Sequence, residues 1–288
     1  MKILHIVPGT RDVSNGMLVV AKLLAKEHGE AEVVDLNHVS CRMCGNDVDE
    51  VWVHGMWLPR EWLACWRVVN SGKRLVRMTH GSLSPVYLKS QSPWKKCLVG
   101  SIERWCLRRS NKIVATCEAE KGWVGAYLGK KCPPVEVADI KRFFKLGSGG
   151  VVSGGVGSIN SQLSTHNSQL HLLYLGRRHP LKGLEYLEEA VKGIEGVELR
   201  VVSNAFGDEK EKVWDWCDVL VLPTLSENFG LVIAEALERG KRVITTDGAP
   251  AWGDGNDYGG RLVYLKGYRD GTDEIRKELL NKAIISLV

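Results

Sequence analysis

The sequence predicts an α/β protein of two doubly wound halves, each a parallel sheet covered by helices. Three observations predict it. The chain has 288 residues, which at about 150 residues per domain suggests two domains. Short runs rich in Ile, Leu and Val alternate with stretches of helical period, the pattern of strand–helix–strand units. Between the two series lies a segment of different composition, residues 146–170, that divides them.

Lys2 to Val7 is an unbroken apolar run and reads as a first buried strand. Pro8, Gly9 and Gly16 mark the loop after it. Met17 to His28 places Leu18, Ala21, Leu24 and Ala25 on one helical face. Strands are expected at Glu32–Leu36 and Glu50–His54, a helix at Trp62–Val69, and a strand at Arg74–Thr79 that ends at His80-Gly81. A long basic helix at Lys95–Arg109 and a strand at Lys112–Thr116 complete the first half.

Residues 146–170 hold Gly147, Gly149, Gly150, Gly154, Gly155 and Gly157. Asn160-Ser161-Gln162-Leu163 then recurs as Asn167-Ser168-Gln169-Leu170. The segment has no aromatic residue and no Lys, Arg, Asp or Glu. Such a stretch buries too little apolar surface to order itself and reads as a flexible linker. Beyond it come strands at His171–Leu175, Val197–Val202, Asp218–Leu222 and Arg242–Thr246. Helices are expected at Leu184–Val191, Lys210–Cys217, Asn228–Glu238 and Thr272–Leu287. The expected domains are therefore 1–145, a linker at 146–170 and 171–288. Two Rossmann-like halves with a cleft between them are the simplest architecture, the second half being reduced.

Composition narrows the function. Hydrophobic residues make up 44% and charged residues 25%, which excludes a disordered chain. No apolar stretch reaches the ~20 residues of a membrane span, and the N-terminal run is too short for a signal peptide, so a cytoplasmic location is expected. Among eight Cys only Cys41 and Cys44 are closely spaced, and no second pair completes a zinc tetrahedron. No metal site and no cofactor are expected. The net charge of +5 is unevenly spread: residues 51–150 carry 18 basic against 6 acidic side chains and seven of the ten Trp. A basic, Trp-rich block suits an anionic membrane surface or nucleic acid. No nucleic-acid motif accompanies it, so nucleic acid is not an expected partner.

No G-x-x-x-x-G-K-[ST], no G-x-G-x-x-G and no G-x-S-x-G in its strand–turn–helix context occurs, which weakens a P-loop NTPase, a dinucleotide dehydrogenase and an α/β hydrolase. Two clusters remain. Ser226-Glu227-Asn228-Phe229-Gly230-Leu231 follows a strand and opens a helix that carries Glu235. The loop after a parallel strand, at a helix N-terminus, is where α/β folds bind anions. The N–H groups of Phe229, Gly230 and Leu231 would meet a phosphate there, and Glu227 or Glu235 would suit a sugar or ribose hydroxyl. Alone, Glu227 is an N-terminal helix charge and Glu235 a solvated helical residue. The second cluster, Arg177 and Lys182 after another strand, places two cations where a pyrophosphate leaving group could be neutralised. The two together favour phosphate chemistry.

Gly176-Arg177-(four residues)-Lys182-Gly183 and Glu227-(seven residues)-Glu235, in that order, resemble the donor-site signatures of family 4 glycosyltransferases. Thr245-Thr246-Asp247-Gly248-Ala249-Pro250-Ala251-Trp252, Arg104–Arg109 and Ala115–Glu120 have counterparts in that family too. The resemblance implies the two-domain GT-B fold and retaining, metal-independent sugar transfer from a UDP- or GDP-linked donor. It implies a polysaccharide or lipid-linked acceptor in cell-envelope glycan synthesis, including lipopolysaccharide. Arg177 and Lys182 would hold the donor diphosphate, Glu227 the sugar with Asn228, Phe229, Gly230 and Leu231 beside it, and Glu235 the ribose. His80 matches a family position near the transferred sugar. Gly16 stands in the loop where the family has a Gly-Gly turn. The alternative is a non-catalytic GT-B homologue that binds a membrane or a partner. In the helix Lys95–Arg109, the apolar face Leu98, Ile102, Trp105 and Cys106 beside five basic residues is expected to dock on the inner face of the cytoplasmic membrane.

Overall fold

The computed structural model describes residues 1–9, 16–38, 47–93, 95–146, 169–203 and 205–288, with the side chains of Lys95 and Lys96 left aside. The body of the expected linker, residues 147–168, and the Cys41/Cys44 pair lie outside the described residues. The chain forms two compact units, Met1–Phe143 and Phe144–Val288.

The first unit runs β1 (Ile3–Val7), α1 (Gly16–Glu27), β2 (Ala31–Asp35), β3 (Glu50–His54), α2 (Pro59–Asn70), β4 (Arg74–Met78), α3 (Pro85–Ser90), α4 (Gly100–Arg108), β5 (Lys112–Ala115), α5 (Glu118–Leu128) and β6 (Val135–Val137). Its sheet has the order β2-β1-β3-β4-β5-β6, and every pairing is parallel. The second unit runs β7 (Leu170–Leu175), α6 (Leu184–Ala190), β8 (Val197–Val202), α7 (Gly207–Trp216), β9 (Val219–Leu222), α8 (Leu231–Glu238), β10 (Arg242–Thr246), β11 (Leu262–Leu265) and α9 (Asp273–Ile285). Its smaller sheet, β11-β10-β9-β7-β8, is also parallel throughout. The α/β class and the two Rossmann-like units agree with the sequence.

Some boundaries differ for local reasons. The helix expected from Asn228 begins at Leu231, because Gly230 adopts φ 72°, which no helical residue does. Pro59 extends α2 upstream of Trp62, its missing N–H costing nothing at a first helical position. The expected helix Lys95–Arg109 divides into a wide turn, Lys95–Val99, and α4. The sequence reading left out α3, α5, β6 and β11. Gly122 and Gly125 interrupt the period of α5, and β6 is a three-residue edge strand after Pro133-Pro134.

The face of the first sheet that carries α2 and α4 is packed by Leu4, Ile6, Val51, Val53, Ala64, Cys65, Val68, Leu75 and Cys106. Arg77 lies inside, fully buried, paired with buried Glu103 at 3.4 Å and donating to the Gly55 carbonyl at 2.8 Å. Glu103 also accepts from the Trp57 N–H and from Trp62 Nε1. These contacts correct the reading of the Trp-rich block: of its tryptophans, those shown as exposed are Trp66 (53%) and Trp105 (38%). They correct the amphipathic face of α4 as well. Cys106 is buried in the core, while Leu98, Ile102 and Trp105 are exposed.

Candidate functional site

In an open parallel sheet, ligands bind outside the carboxyl ends of strands where the strand order reverses. The second unit reverses between β7 and β9, since the chain runs from β7 outward to β8 and returns to the other side of β7. The predicted Lys182 follows β7 and the predicted Glu227 follows β9, so both stand at the reversal.

Backbone packing places them. After β7 a short turn, Pro180–Lys182, ends at Gly183, where φ is 64°. A Cβ at Gly183 would lie 2.1 Å from the Pro223 carbonyl oxygen, so only glycine lets these loops touch. Thr224 Oγ1 and the Leu225 N–H donate to the Leu181 carbonyl at 3.0 and 2.9 Å. The Glu227 N–H donates to the Gly248 carbonyl at 2.8 Å, which joins the loop after β10 to the same assembly. Lys182 and Glu227 form an ion pair here, each less than one-fifth exposed. The other Glu227 oxygen accepts from the Asn228 N–H at 3.2 Å.

Phe229 is buried against Phe144 and Trp252, and its carbonyl accepts from Trp252 Nε1. This anchors the approach to α8. Gly230 caps the helix, and the N–H groups of Phe229 and Gly230 donate to no group among the described residues. With Leu231 at the first helical position, they make up the N-terminal edge of α8. Arg177 is exposed, and its guanidinium makes no ion pair among the described residues. Its carbonyl accepts from the buried Tyr174 hydroxyl at 2.9 Å. Burial, reinforced by the Glu227 carboxylate, pushes the Tyr174 phenol up to about 12, so it remains a neutral donor.

Glu235 faces α7, where Lys210 Nζ lies 2.6 Å from its Oε2. The sequence reading missed Lys210, which stands 25 positions upstream on a different helix with no motif to mark it.

His80 and Gly16 belong to the first unit. Gly16 opens α1 and is exposed. His80 follows β4 with φ 49°, a left-handed conformation that a residue with a Cβ adopts at a cost of ~1–2 kcal/mol. Fully buried Glu120, which the sequence reading noted only as part of a family-like stretch, holds this turn. One of its oxygens accepts from Thr79 Oγ1 at 2.6 Å and from the Gly81 N–H; the other accepts from the Thr116 N–H and Oγ1, both at 2.7 Å. On its other side His80 bonds His54, which bonds His5, which bonds His28. Burial drives His5 and His80 down to about 3 and His54 well below the usual histidine range. Burial also lowers His28, against the upward pull of Glu27 and Glu50. None of these partners of His80 was foreseen.

Two parallel-sheet units of this kind give the GT-B fold, and the second carries cations and carboxylates at the helix N-terminus of its strand reversal. Residues 157–279 match the family described as Glycosyl transferases group 1, a match in the second unit that is in keeping with the resemblance to family 4. No curated protein matches. Among solved structures, sucrose-phosphate synthase from Thermosynechococcus elongatus is similar over 99% of this chain and 90% of its own, at 13% identity and TM-score 0.71. HepE of Anabaena in complex with UDP-glucose is similar over 100% and 90%, at 14% identity and TM-score 0.62. The apo lipopolysaccharide outer core galactosyltransferase WaaB is similar over 100% and 91%, at 15% identity and TM-score 0.59.

Proposed function

We propose that this protein is a glycosyltransferase, a retaining, metal-independent hexosyltransferase that moves sugar from a UDP- or GDP-linked donor to a polysaccharide or lipid-linked acceptor of the cell envelope. The observation that carries this reading is the Lys182–Glu227 pair at the strand reversal, beside the N-terminus of α8. As the bond between the anomeric carbon and the diphosphate oxygen breaks, negative charge grows on the diphosphate. Lys182 has N–H groups beyond the one it gives Glu227, and Arg177 makes no ion pair among the described residues; both stabilise that charge, as a metal ion would elsewhere. Glu227, with Asn228, Phe229, Gly230 and Leu231 beside it, meets the sugar hydroxyls. Glu235, held by Lys210, meets the ribose. His80 lies by the transferred sugar, and Gly16 opens the helix on the acceptor-side unit. The acceptor hydroxyl oxygen forms the new bond to the anomeric carbon, and its proton leaves with the diphosphate. The UDP-glucose bound by HepE and the lipopolysaccharide role of WaaB support a UDP-sugar donor and an envelope acceptor.

Glu235→Ala removes charged hydrogen bonds worth ~1.5–3 kcal/mol, so donor affinity is expected to fall by ~10- to 150-fold with the fold intact. Calorimetry with the preferred sugar nucleotide checks this, and unchanged affinity removes the ribose assignment. Transfer should persist in EDTA; loss restored by magnesium or manganese contradicts the metal-free mechanism. NMR of the product's anomeric proton decides between retention and inversion.

The acceptor side carries a surface feature in keeping with a lipid-linked substrate. Trp62, Leu63, Trp66, Ser101, Ile102 and Trp105 line a groove of about 540 Å³ between α2 and α4. Arg60 and Arg108 stand exposed on the same two helices, and Arg109 directly follows α4. Among the described residues no helix is long and apolar enough to cross a membrane, so contact with a bilayer would be peripheral. Each basic residue near an anionic leaflet adds ~1 kcal/mol, and Trp settles at the interface. The chain is expected to pellet with anionic liposomes, less so in high salt, and Trp66→Ser with Trp105→Ser should weaken pelleting. Equal pelleting with neutral liposomes, or none with either, removes the membrane from this reading.

A further inference from the structure

Among the described residues the two sheets end on β2, β6, β8 and β11. Three of these edges are short: β2 has 5 residues, β6 has 3 and β11 has 4. The fourth, β8, has 6 and pairs β7 without a break in register from Val197 to Val202. It therefore has no bulge, and it holds neither Pro nor Lys, the usual devices that keep a sheet edge from pairing. Its apolar residues Val197, Leu199, Val201 and Val202 are all partly exposed, whereas β9 is buried throughout.

The inner hydrogen bonds fix which backbone groups of β8 point outward. The Leu170 N–H donates to the Gly196 carbonyl at 2.7 Å and the Gly176 N–H to the Val202 carbonyl at 2.9 Å. Along a strand, alternate residues turn both N–H and C=O to the same side. Gly196, Glu198, Arg200 and Val202 thus face β7. Val197, Leu199 and Val201 present their N–H and C=O groups on the open side, where no partner stands among the described residues.

Two identical edges related by a two-fold axis run antiparallel. Outward residues must meet outward residues, so the axis passes beside one residue and not between two. Charge then selects the register. An axis at Arg200 sets that guanidinium against its own copy, and an axis at Glu198 does the same with a carboxylate. An axis at Leu199 pairs Leu199 with Leu199 and Val197 with Val201 on both sides, three pairs that exchange two hydrogen bonds each. It also sets Glu198 opposite Arg200 twice, at positions without backbone bonds, where side chains approach most closely. Glu198 and Arg200 share one face of the strand, and neither makes an ion pair among the described residues. Arg200 lies over the Trp216 ring at 3.9 Å, which holds the guanidinium while leaving its N–H groups at the rim to donate.

We infer that β8 is the interface for a second copy of this chain, paired antiparallel about Leu199 so that the two five-stranded sheets become one. The edge is self-complementary in hydrogen bonding and in charge. The dimer holds whether or not the chain transfers sugar.

Sedimentation equilibrium of the full chain tests it. The wild type is expected as a reversible dimer. Glu198→Arg and Arg200→Glu each put like charges at both cross-strand positions, and each alone should raise the dissociation constant by ~10-fold or more. Mixed in equal amounts, the two variants regain both opposite-charge pairs and should form a mixed dimer of about wild-type affinity. A wild type that stays monomeric overturns the proposal. So do single variants that dimerise as the wild type does, and so does a mixture that associates no better than its parts. Hydrogen exchange reads the edge itself: the amides of Val197, Leu199 and Val201 should be protected in the dimer and lose that protection on dilution to monomer. Protection that persists in the monomer means that the chain covers its own edge, and overturns the proposal too. Should a charge reversal fail to fold, the exchange measurement on the wild type decides.

Discussion

Lys182→Ala is expected to lower kcat by ~10²- to 10³-fold while the donor KM changes by only a few-fold. Removal of one preorganised group aimed at developing charge costs ~2.7–4 kcal/mol in the transition state. The ammonium here is held in place by Glu227 and by loops laced through Leu181, so little reorganisation precedes the reaction. Deleting it also leaves the Glu227 carboxylate unneutralised beside an anionic donor. The double variant Lys182→Ala/Glu227→Gln should therefore recover part of the lost donor affinity but not the lost turnover. Steady-state kinetics on the three proteins checks both statements. A loss confined to KM would make Lys182 a binding residue with no special hold on the transition state.

Glu120→Gln is expected to destabilise the first unit by ~3 kcal/mol or more. The native carboxylate accepts four hydrogen bonds with no exposure to water. An amide nitrogen in place of one oxygen faces two donors with a third, and each buried group left unsatisfied costs ~1–3 kcal/mol. At ~2–4 °C per kcal/mol the melting temperature should fall by roughly 6–12 °C. His80, whose left-handed backbone this carboxylate stabilises through Thr79 and Gly81, should lose its defined position, and activity should fall with it. A melting temperature within ~2 °C of wild type would show that Glu120 is replaceable.

The strands were legible because a parallel strand covered on both faces is a nearly continuous apolar run, as Ile3–Val7 and Val219–Leu222 are. The place of the candidate donor-side residues was legible because they lie on two loops that each follow such a strand, with Gly183 and Gly230 marking positions of positive φ. What escaped were contacts made across the chain. Lys210 meets Glu235 from another helix, and Glu120 reaches Thr79 and Gly81 from 41 and 39 positions away. The imidazole row left one faint trace: His5 interrupts an apolar strand, and His54 and His80 close two others. That trace gives no register, and register alone brings the rings together. The basic Trp-rich block misled in part because composition cannot distinguish an indole buried against Glu103 from one in solvent.

The most direct test of the central claim is calorimetric titration of the full chain with a panel of UDP- and GDP-linked sugars, repeated with Glu235→Ala and Lys182→Ala. The expected result is one-to-one binding of one nucleotide family, weakened in both variants, without added metal. No binding by any member of the panel, or binding that both variants leave unchanged, would contradict it and leave the chain as a GT-B protein that holds a membrane or a partner without turnover.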